Sequence, residues 1–262
     1  MRKEIRDMLP VWIYSSIATC YWFFHPGRPP RLIYPHNGHW RVRNFEKAGP
    51  ELLCVPNRGL VSRASPATHA SKIKRYTLEG FSDVKAGDFV LDVGAFVGEF
   101  SIPASKKAKS VVAIEPDKGS FNCINHNVEN RKNVSVRKEL LWSDNTMLSF
   151  KVGKDPTDNS IINIDGGKTI EEREVKAKCI DSIMNNVEVQ EIDFLKMDVE
   201  GAEPQVLEGA ENTRIKKCAI DCSKEKKGES TKKEVVEILN EWGLEVRADI
   251  EGHEGIVFGR KR

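Results

Sequence analysis

The sequence predicts an α/β fold: a doubly wound, mostly parallel sheet with a β insertion and an antiparallel C-terminal strand pair. Three observations predict it. From residue 68 on, short buried-strand runs alternate with helical spacing, the rhythm of strands joined by crossover helices. The rhythm breaks between Met147 and Ile180, where two strand-like runs flank the turn Asp165-Gly166-Gly167. The chain then ends on two more strand-like runs, at 245–250 and 255–259.

Taken in order, Leu9 to Phe24 is uncharged, and Leu9, Ile13, Ile17, Tyr21 and Phe24 recur at helical spacing, with Ser15, Ser16 and Thr19 off that stripe. This reads as an amphipathic helix, too short to span the ~30 Å hydrocarbon core of a bilayer. It is expected to dock on its own domain, with contact to a membrane surface as the alternative. From His25 to Pro66, prolines and glycines predict extended or looped chain. Ala70 to Gly80 reads as a helix, Phe89 to Val93 as a buried strand, Glu99 to Ala108 as a helix with Pro103 in its first turn, and Ser110 to Ile114 as the second strand. Phe121, Ile124 and Val128 mark the next helix, and Val134 to Leu141 the third strand. In the insertion, Met147 to Val152 and Glu174 to Ile180 are predicted strands. The parallel pattern resumes with strand Ile192 to Met197, helix Ala202 to Leu207 stopped by Gly209, strand Lys217 to Asp221 and helix Lys232 to Trp242.

Of 262 residues, 39% are hydrophobic and 31% charged, a globular composition that excludes disorder of the whole chain. The net charge of +2 is unevenly spread: Met1 to Arg75 carries 13 Lys/Arg against 4 Asp/Glu, and the remainder nets −7. Nine of the 20 aromatic residues fall by Phe45 and eight of the 12 prolines by Pro66. The expected organisation is an irregular, basic, aromatic-rich extension over residues 1–70 and an α/β domain over 71–262. Six cysteines without C-x-x-C or paired-histidine spacing signal neither a zinc site nor a disulfide framework, and a reducing cytoplasm is expected.

The strongest chemical signal is Asp92-Val93-Gly94-Ala95-Phe96-Val97-Gly98, where a buried strand meets a helix. Glycines there let backbone approach a ligand at the first switch point of the sheet, so Asp92, Gly94, Ala95 and Gly98 are expected at the ligand. Glu115 ends the second strand and suits the two hydroxyls of a ribose. Together they indicate an adenosine-containing ligand. A nicotinamide fingerprint needs a glycine at position 96, which is Phe96 here; the spacing D-x-G-x-x-x-G is instead that of the nucleoside loop in S-adenosylmethionine enzymes. A second signal is Lys196-Met197-Asp198-Val199-Glu200-Gly201-Ala202-Glu203. Lys196 would be buried and needs a partner; Asp198, two residues on, shares its face and is the expected one, and it reaches the crevice where a reacting group would lie. Glu200 and Glu203 suit the start of the following helix. Asn57 to Arg63 forms a polar island whose Arg58 and Arg63 could grip an anionic or sugar-like group.

These residues resemble the FkbM-type S-adenosylmethionine methyltransferases: Asp92 to Ser101, Glu115-Pro116-Asp117, and the run Lys196 to Glu203 followed by Val206-Leu207 and Gly209-Ala210. The resemblance covers about Tyr76 to Ala210. It implies a class I methyltransferase, Rossmann-like fold, S-adenosylmethionine as cofactor, and a hydroxyl of a sugar, lipid-linked glycan or secondary metabolite as acceptor. It further implies adenine contacts from Glu139 and Leu140 and from Pro116 and Asp117, and an acceptor loop at 155–160 that includes Asp158 and Asn159. Asp198 is the expected base or acceptor-orienting group, with Glu200 beside it; no metal is expected. An RNA acceptor, suggested by the basic extension, and a non-catalytic scaffold at a membrane surface are the alternatives. The intact Asp92, Glu115 and Asp198 speak against a dead site.

Overall fold

The computed structural model describes residues 8–25, 29–46, 49–153, 169–187, 189–226 and 229–262. The predicted turn at 165–167 and the acceptor-loop residues Asp158 and Asn159 lie outside them.

Helix α1 (Val11–Phe24) is followed by an antiparallel sheet of β1 (Arg31–His36), β2 (His39–Glu46) and β3 (Gly49–Val55). The described residues of the extension expected to be irregular therefore form a helix and a three-stranded sheet. Its hairpin turns on Asn37 and Gly38, whose φ values of 49° and 75° give the doubly left-handed turn that matches strand twist. Pro35 is accommodated because β1 is an edge strand. The free edge of β1 is sealed by α1: the Ile33 N–H donates to Thr19 Oγ1 (3.0 Å), while the Thr19 and Ser15 hydroxyls donate to the Ile33 carbonyl. The expected helix face is thus corrected. Tyr14 and Trp22 are buried and the serine and threonine side faces the sheet, whereas Ile17, Tyr21 and Phe24 are exposed.

After a short 3-10 turn, helix α2 (Pro66–Arg75) begins four residues before its predicted start, because Ser65 caps it through the Thr68 N–H and Pro66 fits its first turn. Then come β4 (Phe89–Val93), α3 (Ser101–Ala104), β5 (Ser110–Ile114), α4 (Lys118–Asn127) and β6 (Val134–Arg137). The helix expected over 99–108 is only α3, and the strand expected over 134–141 breaks after Arg137 to leave β7 (Leu140–Leu141). The insertion is β8 (Met147–Gly153) antiparallel to β9 (Thr169–Lys178); a helix not foreseen, α5 (Ile180–Met184), follows. The rest is β10 (Glu191–Ile192), β11 (Phe194–Met197), α6 (Glu203–Glu208), β12 (Arg214–Ile215), β13 (Lys217–Asp221), β14 (Lys224–Lys226), β15 (Glu229–Ser230), α7 (Lys232–Glu241), β16 (Leu244–Arg247) and β17 (Ile256–Lys261).

The main sheet runs β16-β17-β13-β11-β4-β5-β6. Its five strands from β13 to β6 are parallel, and β17 and β16 pair antiparallel. Every residue of β4 and β11 is buried, as strands covered on both faces require. Leu91, Val93, Leu195 and Met197 pack against Val206, Leu207 and Val235; Val90 and Phe194 pack on the other face against Phe100 and Phe258. Because the chain leaves β4 toward β5 on one side and later places β11 on the other, the sheet has its switch point between β4 and β11.

Asn127 joins the N-terminal sheet to this body: its Oδ1 accepts from the Cys54 N–H (2.6 Å) and its Nδ2 donates to the Cys54 and Val97 carbonyls (3.0 and 2.8 Å). Asn127→Ala is expected to leave these buried groups without partners and to cost on the order of 2–3 kcal/mol. Urea unfolding should show a lower midpoint with an unchanged slope; an unchanged midpoint would show that the junction needs no such bridge.

Candidate active site

The carboxyl ends of the parallel strands open on a cavity of about 380 Å3. Each strand supplies part of its wall: Val93 to Phe96 after β4, Ile114 to Pro116 after β5, Glu139 to Leu141 after β6, Lys196 and Asp198 to Glu200 at β11, and Asp221 and Ser223 at β13. The far wall comes from α2 and the segment before it.

The floor rests on a buried ion pair. Lys196 and Asp92 are register partners on β11 and β4, with Lys196 Nζ 3.1 Å from Asp92 Oδ1. Nζ also donates to the Gly94 carbonyl at 2.7 Å, and Asp92 Oδ2 accepts from Ser101 Oγ at 2.5 Å. Burial favours the neutral amine, yet the charges of Asp92 and Asp198 hold the Lys196 pKa above its ordinary value. The expected partner is corrected: Asp198 adds charge, but Asp92 makes the contact, because β11 ends at Met197 and the alternation along the strand stops there. At Gly94, φ is +73° and an added Cβ would lie 1.8 Å from the Asp198 carbonyl oxygen, so only glycine lets these two loops touch.

Glu115 faces the cavity while accepting from the Phe96 N–H (2.8 Å) and the Asp117 N–H (2.9 Å). Burial pushes its pKa up to about 7 against the pull of those two bonds. Glu139 Oε1 takes Lys178 Nζ at 2.5 Å, whereas Oε2 is buried with no hydrogen-bond partner among the described residues. Glu139 lines the cavity as a residue, but this second oxygen is sealed from solvent.

At the other end, the Tyr76 hydroxyl lies 2.7 Å from Asp198 Oδ2 and 3.1 Å from Asp221 Oδ2, and Arg75 Nη2 holds Asp221 Oδ2 at 2.9 Å. Burial opposes ionisation of Asp198, but the Lys196 and Lys72 charges and the Tyr76 bond keep its pKa below the ordinary value. Glu200 lines the cavity with a left-handed φ of 55°, a strained backbone for a non-glycine residue. Glu203 points away from the cavity, accepting from the Val199 and Gly201 N–H groups and from Thr231 Oγ1.

Of the residues singled out in the sequence, Gly94, Ala95, Glu115, Pro116, Glu139, Leu140, Asp198, Glu200 and Arg63 line the cavity. Asp92, Gly98, Asp117 and Arg58 do not. Asp92 lies under the loop, Asp117 caps α4 through the Ser120 N–H, and Arg58 donates to the Leu9 carbonyl at 2.7 Å beside the Tyr14 ring. Arg63 makes a two-pronged pair with Glu99 at 2.9 and 2.7 Å. Sequence reasoning missed Tyr76, Asp221, Arg75, Lys72, Glu99 and Phe150 of the wall; no local motif marks them. Among the described residues no group of three or more His, Cys, Asp or Glu is placed to hold a metal ion.

The family model described as Methyltransferase FkbM domain matches residues 92–246. A search of curated proteins finds no match. Solved structures similar to this chain include methyltransferase FkbM from Methylobacillus flagellatus KT (18% identity, 66% of this chain and 43% of that one, TM-score 0.44). Two others are a SAM-dependent methyltransferase from Aquifex aeolicus (20%, 78% and 92%, 0.42) and fibrillarin from Aeropyrum pernix (14%, 87% and 96%, 0.44). The chain thus spans less than half the length of the Methylobacillus protein.

Burial pushes the Glu203 pKa up to about 7 from 4.5, against its hydrogen bonds. The folded chain therefore binds more protons than the unfolded chain between those values, so stability falls as pH rises through that window and levels off above it. The share of Glu203 is on the order of 3 kcal/mol. Glu203→Gln keeps the acceptor for the two N–H groups and can donate to Thr231, so at pH 8 it is expected to melt higher than wild type, with a flatter pH profile. Equal profiles would contradict this placement of the carboxyl.

Proposed function

The chain belongs to the FkbM methyltransferase family, and from that premise we propose that it methylates a hydroxyl of a sugar, glycan, lipid or secondary metabolite. The domain has the class I methyltransferase fold, and its methyl donor is S-adenosylmethionine. The single observation that carries the hydroxyl reading is the Asp198 carboxyl group in the cavity, hydrogen-bonded to Tyr76 and close to the Gly94 loop.

The residues present fit the donor. Glu115 has lone pairs left for two ribose hydroxyls, Glu139 and Leu140 line the same cavity, and Gly94 and Ala95 offer backbone without obstruction. When bound, S-adenosylmethionine supplies a methyl carbon on a positively charged sulfur. Asp198 would take the proton that the acceptor hydroxyl gives up. Tyr76 and the Arg75–Asp221 pair keep Asp198 in place, since a fixed base and an aligned nucleophile are what this displacement demands of a protein. Arg63 with Glu99, and Lys72, give the acceptor end both signs of charge. Such matched pairs suit a neutral polyhydroxyl compound better than a nucleic-acid backbone, which favours unpaired cations. Six free thiols support a reducing, cytoplasmic setting.

Asp198→Asn is expected to lower methyl transfer by about 10²–10⁴-fold, with S-adenosylhomocysteine affinity unchanged. Because Lys196 keeps Asp92, the melting temperature should also hold. A loss under about tenfold would remove Asp198 as the base. Glu115→Ala should instead weaken S-adenosylhomocysteine binding in calorimetry, by on the order of 1.5–3 kcal/mol; undiminished binding would place the ribose elsewhere.

A further inference from the structure

Helix α1 is uncharged along its whole length and apolar on nearly every side. A helix of that kind is ordinarily buried all round. Among the described residues one side is covered, by Tyr14 and Trp22 against the N-terminal sheet. The other side leaves Trp12 71%, Tyr21 53% and Phe24 84% exposed, with Ile17 between them. The patch continues onto the sheet, where Phe23 meets Phe45 with ring centroids 6.1 Å apart. Exposed Leu32 stands across from exposed Arg43 in the strand register. An apolar surface of this kind marks an interaction site.

The charges around it select the partner. From Met8 to Phe45 the sequence has four arginines and no Asp or Glu. Arg31 is buried over the Trp22 ring, whereas Arg43 is exposed on the sheet face, so the apolar surface carries a cation beside it and complements a surface that is apolar inside and negatively charged outside. Exposed Trp and Tyr are the side chains that settle where hydrocarbon meets water. At 14 residues α1 is about 21 Å long, and no described helix is long and apolar enough to cross a membrane. The helix can therefore lie in an interface but not span it. We infer that the exposed side of α1, with the Leu32–Arg43–Phe45 face of the sheet, is a docking surface for an anionic lipid bilayer.

The same helix is tied to the active-site wall. Tyr14 donates its hydroxyl to the Arg58 carbonyl, Arg58 donates back to the Leu9 carbonyl, and five residues further on Arg63 reaches the cavity. Docking through α1 therefore holds the cavity at a fixed position relative to the lipid surface.

The test is co-sedimentation of the full chain with vesicles of phosphatidylcholine, alone or with a quarter of phosphatidylglycerol, followed by tryptophan fluorescence. The expected result is binding to the mixed vesicles, weakened by added salt and at least about tenfold weaker on neutral ones, with a blue shift of emission. Trp12→Ser with Phe24→Ser alters only exposed side chains. It should abolish binding while melting temperature and S-adenosylhomocysteine affinity stay unchanged; Arg43→Glu should remove the preference for anionic lipid. No binding to either vesicle would overturn the inference. So would a dimer in analytical ultracentrifugation that Trp12→Ser with Phe24→Ser makes monomeric while wild-type protein ignores vesicles, because a second copy would then be the occupant.

Discussion

The structure depends on placing one ammonium group inside the central strands of a parallel sheet. Lys196 is 3% exposed in a strand whose other residues are all apolar, and an unpaired charge there would cost several kcal/mol. Asp92 stands beside it in register, and together they consume two positions that hydrophobic residues could have filled at no electrostatic cost. What the pair gains is geometry. Nζ has donors to spare after Asp92, and they go to the Gly94 carbonyl, so the glycine loop is bonded to β11 as well as to β4. Ser101 on the other oxygen of Asp92 ties in the start of α3. The crevice of the switch point is held open by these bonds rather than by packing alone.

The cavity built on this floor separates its carboxylates by environment. Among the described residues no cation touches Glu115; burial raises it to about 7, so it can accept or donate to a neutral nucleoside. Asp198, half-buried, feels Lys196 and Lys72, which with the Tyr76 bond hold its pKa below the ordinary value despite burial. Groups of the same chemistry are thereby fitted to different tasks, one end of the cavity holding a nucleoside and the other removing a proton. The aromatic wall follows the same economy: Tyr76 packs edge-on against Phe100 while its hydroxyl reaches Asp198 and Asp221.

What could be read in the sequence was local. The strand at 89–93 and the glycine loop after it are contiguous, and their chemistry follows from burial and spacing over a few residues. The cation-accepting role of Asp92 needed the neighbouring strand's register, 104 positions away from Lys196 in the chain, and period-two reasoning chose Asp198 instead. Tyr76 and Asp221 meet Asp198 only through the fold and carry no motif. The N-terminal sheet is different, because its signal was present: Asn37-Gly38 between two β-branched and aromatic runs marks a two-residue hairpin. The density of prolines masks that signal, although Pro35 falls on an edge strand, where a missing N–H costs little. The face of α1 differs from its apolar periodicity because its hydroxyls satisfy the open edge of β1, so the side carrying Ser15 and Thr19 turns inward and an apolar side turns out.

The claim that the buried pair shapes the nucleoside loop is tested most directly by replacing both members with apolar residues, Asp92→Leu with Lys196→Met, and titrating S-adenosylhomocysteine into the purified protein. A double replacement leaves no unpaired charge, so the fold is expected to persist with a similar melting temperature. The Gly94 carbonyl then has no ammonium to hold it, and affinity should fall by about tenfold or more, one charge-assisted hydrogen bond's worth. Unchanged affinity in a folded double variant would contradict the account, showing that the loop takes its shape without the pair.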